Sequence, residues 1–296
     1  MLLLSKPETN FKISKNLKLN YNTYSLNHAH SDLSGYNVCP IANKLTEQEN
    51  NPNKSNCSTC CVGYNGFASI HNTVMESRIK KTISYFLDRD IFLQSLIHEI
   101  SLAIDESNKK GLKPSFRLNA YSDIKWEKES ISITYNDYIN KYSNNKLLKD
   151  YFKKYNYINA MGNKDGFNAY GTIFNLFPKV KFYDYTKLIN RKTPKNYQLT
   201  YSHYGNWKDT SIALKNGVNS AIVFEKLPKY IKIDSINYTV IDGDKTDLRI
   251  DEKINGKTVV VGLKFKGSKK KLQDAILEGF AISKENNSLK YSLNLY

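Results

Sequence analysis

Three groups of residues have the types and spacing to do chemistry. The first is a pair of carboxylates. Asp184 sits in Lys181-Phe-Tyr-Asp-Tyr-Thr-Lys187, an apolar stretch that ends in an acid, a hydroxyl and a base, and Asp123 closes the run Arg117-Leu-Asn119-Ala-Tyr-Ser122-Asp123. Two such carboxylates can divide the work of nucleophile and proton carrier, as in retaining glycoside hydrolysis, where one attacks an anomeric carbon. For either alone, a cap or an ion pair is the plainer role. The second group is Asp242, Asp244 and Asp247 with Gly243 between them and Arg249 after them. It has the residue types of a cation site and equally those of a simple turn. Arg117 and Arg249 either bind phosphate or neutralise these acids.

The third group is cysteine. Cys39, Cys57, Cys60 and Cys61 are followed by no further cysteine, which is a metal-site pattern rather than a disulfide framework. Cys57 and Cys60 supply two thiolates of a tetrahedral site, Cys39 returns as a third, and His71 is the natural fourth ligand with Cys61 competing for that place. Zinc fits this set, and an iron–sulfur cluster is the alternative, although the Cys-x3-Cys-x2-Cys spacing is absent. His203, after an apolar run, is a better candidate than His28 or His30, which read as solvated.

The charge says what such a site would meet. The chain has 296 residues, with 44 Lys and Arg against 28 Asp and Glu, a net +16. That excess attracts a polyanion, so nucleic acid is the leading partner. An abundance of Lys, Asn, Ile and Tyr accounts for part of the basicity. The 22 tyrosines offer faces for stacking bases, or half-buried sheet positions. Glycine-rich phosphate loops of both common types are missing, as is the Gly-x-Ser-x-Gly elbow, which argues against nucleotide triphosphate hydrolysis, dinucleotide redox chemistry and serine hydrolysis. Met1 to Leu4 is too short for a signal core and no apolar span follows, so the expected place is the cytoplasm, with no membrane partner.

These residues need elements to hold them. Residues 11–26 read as a peripheral hairpin, 68–110 as two amphipathic helices with Asp90 as N-cap and Gly111 as stop, and Ala169–Phe177 as a helix stopped by Pro178. On the first helix Arg78, Lys80 and Lys81 form a polar side, either solvated or in contact with phosphate. Strands are expected at Ser115–Ala120, Val180–Tyr183, Tyr197–Tyr201, Val218–Phe224, Asn237–Ile241 and Thr258–Lys264, with a short helix at Asp209–Asn216. Continuous apolar strands separated by helices argue for a parallel sheet. Strand ends at Asn119, Asp184, Ser202 and Asp242 would share one C-terminal rim, as in an α/β fold of the (β/α) TIM-like barrel type, here incomplete or irregular. The organisation expected is an N-terminal segment, 1–66, carrying the cysteines, and a catalytic barrel, 67–296, in one compact domain.

Taken in order, several stretches resemble the bacteriophage gene product 88 family. They are Asn37-Val-Cys-Pro40, Cys57 with Cys61, Arg78 with Lys81-Thr82, Asp88-Arg89, Arg117-Leu-Asn119 with Ser122-Asp123, Phe182 to Lys187, Tyr197-Gln-Leu-Thr200, Ile241 to Asp244 with Asp247-Leu-Arg249, and Gly262-Leu-Lys264. A basic barrel with rim aspartates and a cysteine-rich zinc site is more distantly similar to tRNA-guanine transglycosylases and the DpdA-type phage enzymes. That resemblance implies exchange of guanine in DNA for a 7-deazaguanine base through a covalent aspartyl-glycosyl intermediate, in the host cytoplasm, protecting phage DNA from restriction. It makes Asp184 the nucleophile and Asp123 the base, with Asp242 as the rival. Asn119, Ser122, His203, Asp244, Asp247, Arg249 and Lys264 are the candidates for substrate contact. The alternatives are an iron–sulfur or metal-dependent nucleic-acid enzyme and a non-catalytic, zinc-stabilised DNA-binding protein.

Overall fold

The computed structural model describes residues 2–41, 71–134, 162–163, 166–283 and 291–294. In chain order it contains β1 (Leu4–Ser5), α1 (Phe11–Ser14), β2 (Tyr21–Leu26), α2 (Ser31–Ser34), α3 (Asn72–Leu87), α4 (Arg89–Lys109), β3 (Lys113–Arg117), β4 (Ile131–Thr134), β5 (Gly162–Asn163), β6 (Gly166–Gly171) and α5 (Ile173–Leu176). After these come β7 (Lys181–Thr186), β8 (Tyr197–Ser202), α6 (Trp207–Lys215), β9 (Ser220–Phe224), β10 (Tyr230–Ile233), β11 (Ile236–Asp242), β12 (Val260–Lys264), α7 (Lys269–Leu277), β13 (Ala281–Ile282) and β14 (Tyr291–Asn294).

The main sheet has eleven strands in the order β1-β2-β3-β7-β8-β9-β12-β11-β10-β14, with β13 beside β9. The stretch from β2 to β11 is parallel, while β1, β10 and β14 pair antiparallel at the margins. This is an open α/β sheet, not the expected barrel: the order ends in β1 on one side and β14 on the other. Apolar strands of this kind serve a closed or an open parallel sheet equally well, so closure is decided by the antiparallel edge strands. A small second sheet, β4-β6-β5, lies apart.

The expected N-terminal hairpin is instead a strand of the main sheet. Asn20, left-handed at φ 62°, ends a 3-10 turn and starts β2, which runs parallel to β3 from Tyr21 and Lys113 onward. Ala169 to Gly171 belong to β6 rather than to a helix. A capping box between Thr172 and Asn175 then opens the single turn of α5, and a reciprocal side-chain cap of this kind favours a helix start. Both helices form, but Asp88 rather than Asp90 stands at the N-cap of α4, because the helix already starts at Arg89 and takes Asp90 into its first turn. Phe92, Leu93, Leu96, Ile97, Ile100 and Ile104 are all buried on α4.

Strand pleating gives the sheet two different faces. Tyr24, Phe116, Phe182 and Tyr197 join the helices in one apolar cluster, and Leu214 of α6 packs with Ile222, Phe224 and Val260 in a second. The opposite face carries Thr23, Ser115, Arg117, Tyr183 and Tyr185. It is covered by residues 10–20 and by the loop after β11, and its contacts are polar. Gly243 starts that loop: a Cβ there would lie 2.5 Å from Val261 Cγ1 and 2.9 Å from Leu263 Cδ2, so a larger residue would push the loop off β12.

A candidate anion-binding cleft at the strand ends

The C-terminal ends of the parallel strands frame a cleft of about 230 Å³, lined among others by Lys12, Arg117, Lys187, Asn10, Asn27 and Ser202. Parallel α/β sheets place ligands at this edge. The lining comes from the polar face: Ser25, Arg117, Tyr185, Ser202, Val223 and Leu263 stand at successive strand ends. Between β8 and β9 the sheet forks, because β8 pairs with Ser220 and Ala221 only while β13 pairs with Val223 and Phe224. Phe280, just before β13, closes that side of the cleft.

Arg117 is the deepest cation. Its Nη1 donates to both oxygens of Asp247, at 3.0 and 2.9 Å, and its guanidinium lies 4.8 Å from the Tyr185 ring centroid. Asp247, 1% exposed, also accepts from the Tyr183 hydroxyl at 3.2 Å and has the Lys12 ammonium at 3.4 Å. Burial works to raise its pKa, but Arg117, Lys12 and Arg249 outweigh that and hold it below the usual carboxylate range. Asn16 fixes the same loop, its amide oxygen accepting from the backbone N–H groups of Asp247 and Leu248. Arg249 donates to Tyr185, Glu252 and the carbonyls of Gly243, Thr246 and Leu248. Asp247 and Arg249 are therefore a buried clamp between a loop and two strands, β3 and β7, and Asp247 orients Arg117 beneath the cleft. Lys187 donates to Ser202 across the cleft at 3.0 Å. Lys12 is pulled toward a lower pKa by desolvation, with Asp247 opposing.

The carboxylate pair is brought near the same strand ends but not to the same face. Asp123 lines the cleft. Its Oδ1 accepts from Arg191 at 2.8 Å and its Oδ2 from the Thr186 hydroxyl and the Lys187 N–H. Burial raises its pKa against those donors. Asp184 alternates with Tyr183 and Tyr185, so the pleat turns it to the helix side, where it is 0% exposed. There it accepts from the Asn119 N–H at 2.8 Å and the Tyr197 hydroxyl at 3.0 Å, and burial pushes its pKa up to about 7. Arg191 also holds Glu127 at 2.5 Å, tying the wall of the cleft to the segment after β3.

The remaining expected residues are distributed as follows. Asn119 and Ser122 line the cleft, and the Asn119 amide oxygen gathers Ser122 Oγ, the Ile124 N–H and the Trp126 indole. His203 is buried against Trp207, with Nδ1 2.7 Å from the Thr210 hydroxyl; burial drops its pKa to about 3. Asp242 accepts from the Asp244 N–H within its own turn. Asp244 pairs with Lys266 at 2.7 Å and accepts from the Lys264 N–H at 3.0 Å, so these three stand apart from the cleft. His28 and His30 are buried rather than solvated; His28 lies among Tyr85, Phe92 and Trp126. Arg78 and Lys81 are likewise buried, each 5% exposed, while Lys80 is on the outer side of α3.

Cys39 is on the cleft wall, its thiol 3.7 Å from the Tyr121 carbonyl oxygen, and His71 precedes α3. Cys57, Cys60 and Cys61 lie outside the described residues. Among the described residues no group of three His, Cys, Asp or Glu could hold a metal, and no helix is long and apolar enough to cross a membrane.

Lys12, Asn10, Asn27 and Tyr185 were not expected at the site. Nothing in the local sequence marks Lys12, because its partner Asp247 is far along the chain. The register of β2 against β3 would have found Asn27, which follows the strand just as Asn119 follows β3.

The family model for gene product 88 matches residues 2–283. No curated protein and no solved structure matches the chain. With nearly its whole length matched, the chain belongs to the gene product 88 family.

Proposed function

We propose that this member of the gene product 88 family is a phage nucleic-acid protein that takes one phosphate-bearing nucleotide of DNA into the cleft at its strand ends. The observation that carries this reading is the convergence of Lys12, Arg117 and Lys187 on one recess in a chain of net charge +16. The cleft's only acid among the described lining residues, Asp123, is paired with Arg191, which it shares with Glu127. Phosphate oxygens suit these donors, and the faces of Tyr121 and Tyr185 offer a base something to stack on.

The chemistry we assign to the cleft is exchange of guanine for a 7-deazaguanine base, which needs the nucleotide out of its stack. Asp123, not Asp184, is the carboxylate that reaches the cleft, so Asp123 takes the nucleophile's place in this proposal. Its three donors, Arg191, the Thr186 hydroxyl and the Lys187 backbone N–H, reduce its reactivity until a substrate displaces one of the two side chains, while the Lys187 ammonium, which donates to Ser202, is free to turn toward a phosphate. Asp184 supports the wall from behind. Zinc held by Cys39 with Cys57, Cys60, Cys61 or His71 would be a structural companion at the cleft edge.

The test is incubation of the purified protein with single-stranded and duplex DNA and labelled 7-deazaguanine bases, with nucleoside mass spectrometry as the readout. Incorporation that Asp123→Asn abolishes while DNA affinity persists supports base exchange. Tight binding without incorporation would leave a binding protein and remove the catalytic assignment.

A further inference from the structure

We infer that α3 presents a second oxyanion site, built on Arg78 and Lys81 and meant for a phosphate group next to the cleft. The inference goes beyond the cleft reading and does not depend on it.

A helix at the edge of a sheet normally buries its apolar stripe. The buried residues of α3 are Arg78, Lys81, Thr82 and Tyr85, whereas Val74 and Leu87 are exposed. Arg78 and Lys81 are three residues apart, so their side chains leave the same face of the helix as neighbours. Both are 95% buried, and among the described residues neither side chain forms a salt bridge. Arg78 Nε is buried without a hydrogen-bond partner. The acid whose field reaches Lys81 is Glu99, but its carboxylate accepts from the Leu3 and Leu4 N–H groups. Desolvation accordingly pulls the Lys81 pKa down, and the field of Arg78 adds to that.

Two buried cations side by side without a countercharge are costly, and an anion that pairs with both would relieve that cost. A guanidinium with an unpartnered Nε beside an ammonium matches a tetrahedral oxyanion, the first as a planar donor and the second as a point charge. Thr82 holds the arrangement in place: its hydroxyl donates to the Arg78 carbonyl at 2.9 Å and accepts from the Ala29 N–H at 2.8 Å. The site adjoins the cleft, because the Arg78 guanidinium lies 4.1 Å from the ring centroid of Tyr121, a cleft-wall residue.

The experiment titrates inorganic phosphate against chloride at constant ionic strength and follows thermal unfolding of the full chain. Wild type and Lys80→Gln, a change on the outer side of the same helix, should show a saturable rise in Tm, and Arg78→Gln and Lys81→Met should each weaken phosphate binding roughly tenfold or more. In the unsubstituted protein, phosphate should also protect Lys81 from acylation, read by mass spectrometry, which needs no variant to fold. A short single-stranded oligonucleotide distinguishes the source of the phosphate. Loss of oligonucleotide affinity in Arg78→Gln assigns the site to a nucleic-acid backbone, and unchanged oligonucleotide affinity with lost phosphate binding assigns it to a small phosphate compound. Either result supports the site. A phosphate response equal in wild type, Arg78→Gln and Lys81→Met, with no protection of Lys81, overturns it.

Discussion

Replacing Asp247 by Asn should uncouple the loop after β11 from the sheet it covers. The carboxylate receives two contacts from Arg117 Nη1, one from Tyr183 and the field of Lys12, and both members of the main pair are buried. An amide keeps the shape but removes the charge, leaving Arg117, Lys12 and Arg249 to face one another. Breaking a buried pair from one side costs about 3–5 kcal/mol; with an isosteric replacement we expect the lower end, about 3 kcal/mol. For a chain of this size that moves a urea midpoint down by about 1 M. The assay is equilibrium urea unfolding followed by tryptophan fluorescence. Because the native carboxyl lies below its ordinary range, its stabilisation is present above the unfolded-state pKa of about 4 and is lost as pH falls through the lower native value. The gap between variant and wild type should therefore close in acid. Arg117→Met with Asp247→Leu, which replaces the pair by apolar groups, should recover most of the loss. A single variant within about 0.5 kcal/mol of wild type at pH 7 would refute the clamp.

Three further outcomes follow from the same geometry. Asp184 is raised to about 7, so the native state holds a proton that the unfolded chain releases near pH 4, and wild-type stability should fall between pH 4 and 7; Asp184→Asn should flatten that slope, and parallel profiles would contradict it. Asn119→Ala removes the acceptor of three buried donors and should cost about 3 kcal/mol in the same unfolding assay. If Cys39 belongs to a zinc site, elemental analysis of the purified protein should find about one zinc per chain and no visible absorbance, whereas a brown protein would assign an iron–sulfur cluster.

The parallel sheet was legible because Val259 to Leu263 and Ala221 to Phe224 are runs that only a strand buried on both faces can use. Whether the sheet closes was not, since that depends on short edge strands such as Tyr230–Ile233, whose sequence is unremarkable. β2 reads as an arm of a peripheral hairpin rather than a strand of the main sheet because Tyr-Asn-Thr-Tyr-Ser-Leu is polar, yet Asn22, Thr23 and Ser25 are buried among hydroxyls and amides. Asp123, Asn119, Ser122 and Ser202 were found at the strand ends from their positions alone. The side to which Asp184 points was recoverable from its alternation with Tyr183 and Tyr185 once Phe182 is placed on the helices. Lys12 was out of reach, because only the folded sheet brings it to Asp247. The buried cations of α3 were hidden for the opposite reason, since a helical period cannot say which of two faces turns inward.

The most direct test of the central claim is the salt dependence of single-stranded DNA binding. Each phosphate neutralised by a lysine contributes about 0.7 to the slope of log affinity against log salt. Lys12→Gln with Lys187→Gln should lower the magnitude of that slope by about 1.4 while leaving the fold intact. An unchanged slope in the double variant would place the DNA elsewhere on the molecule and contradict the account.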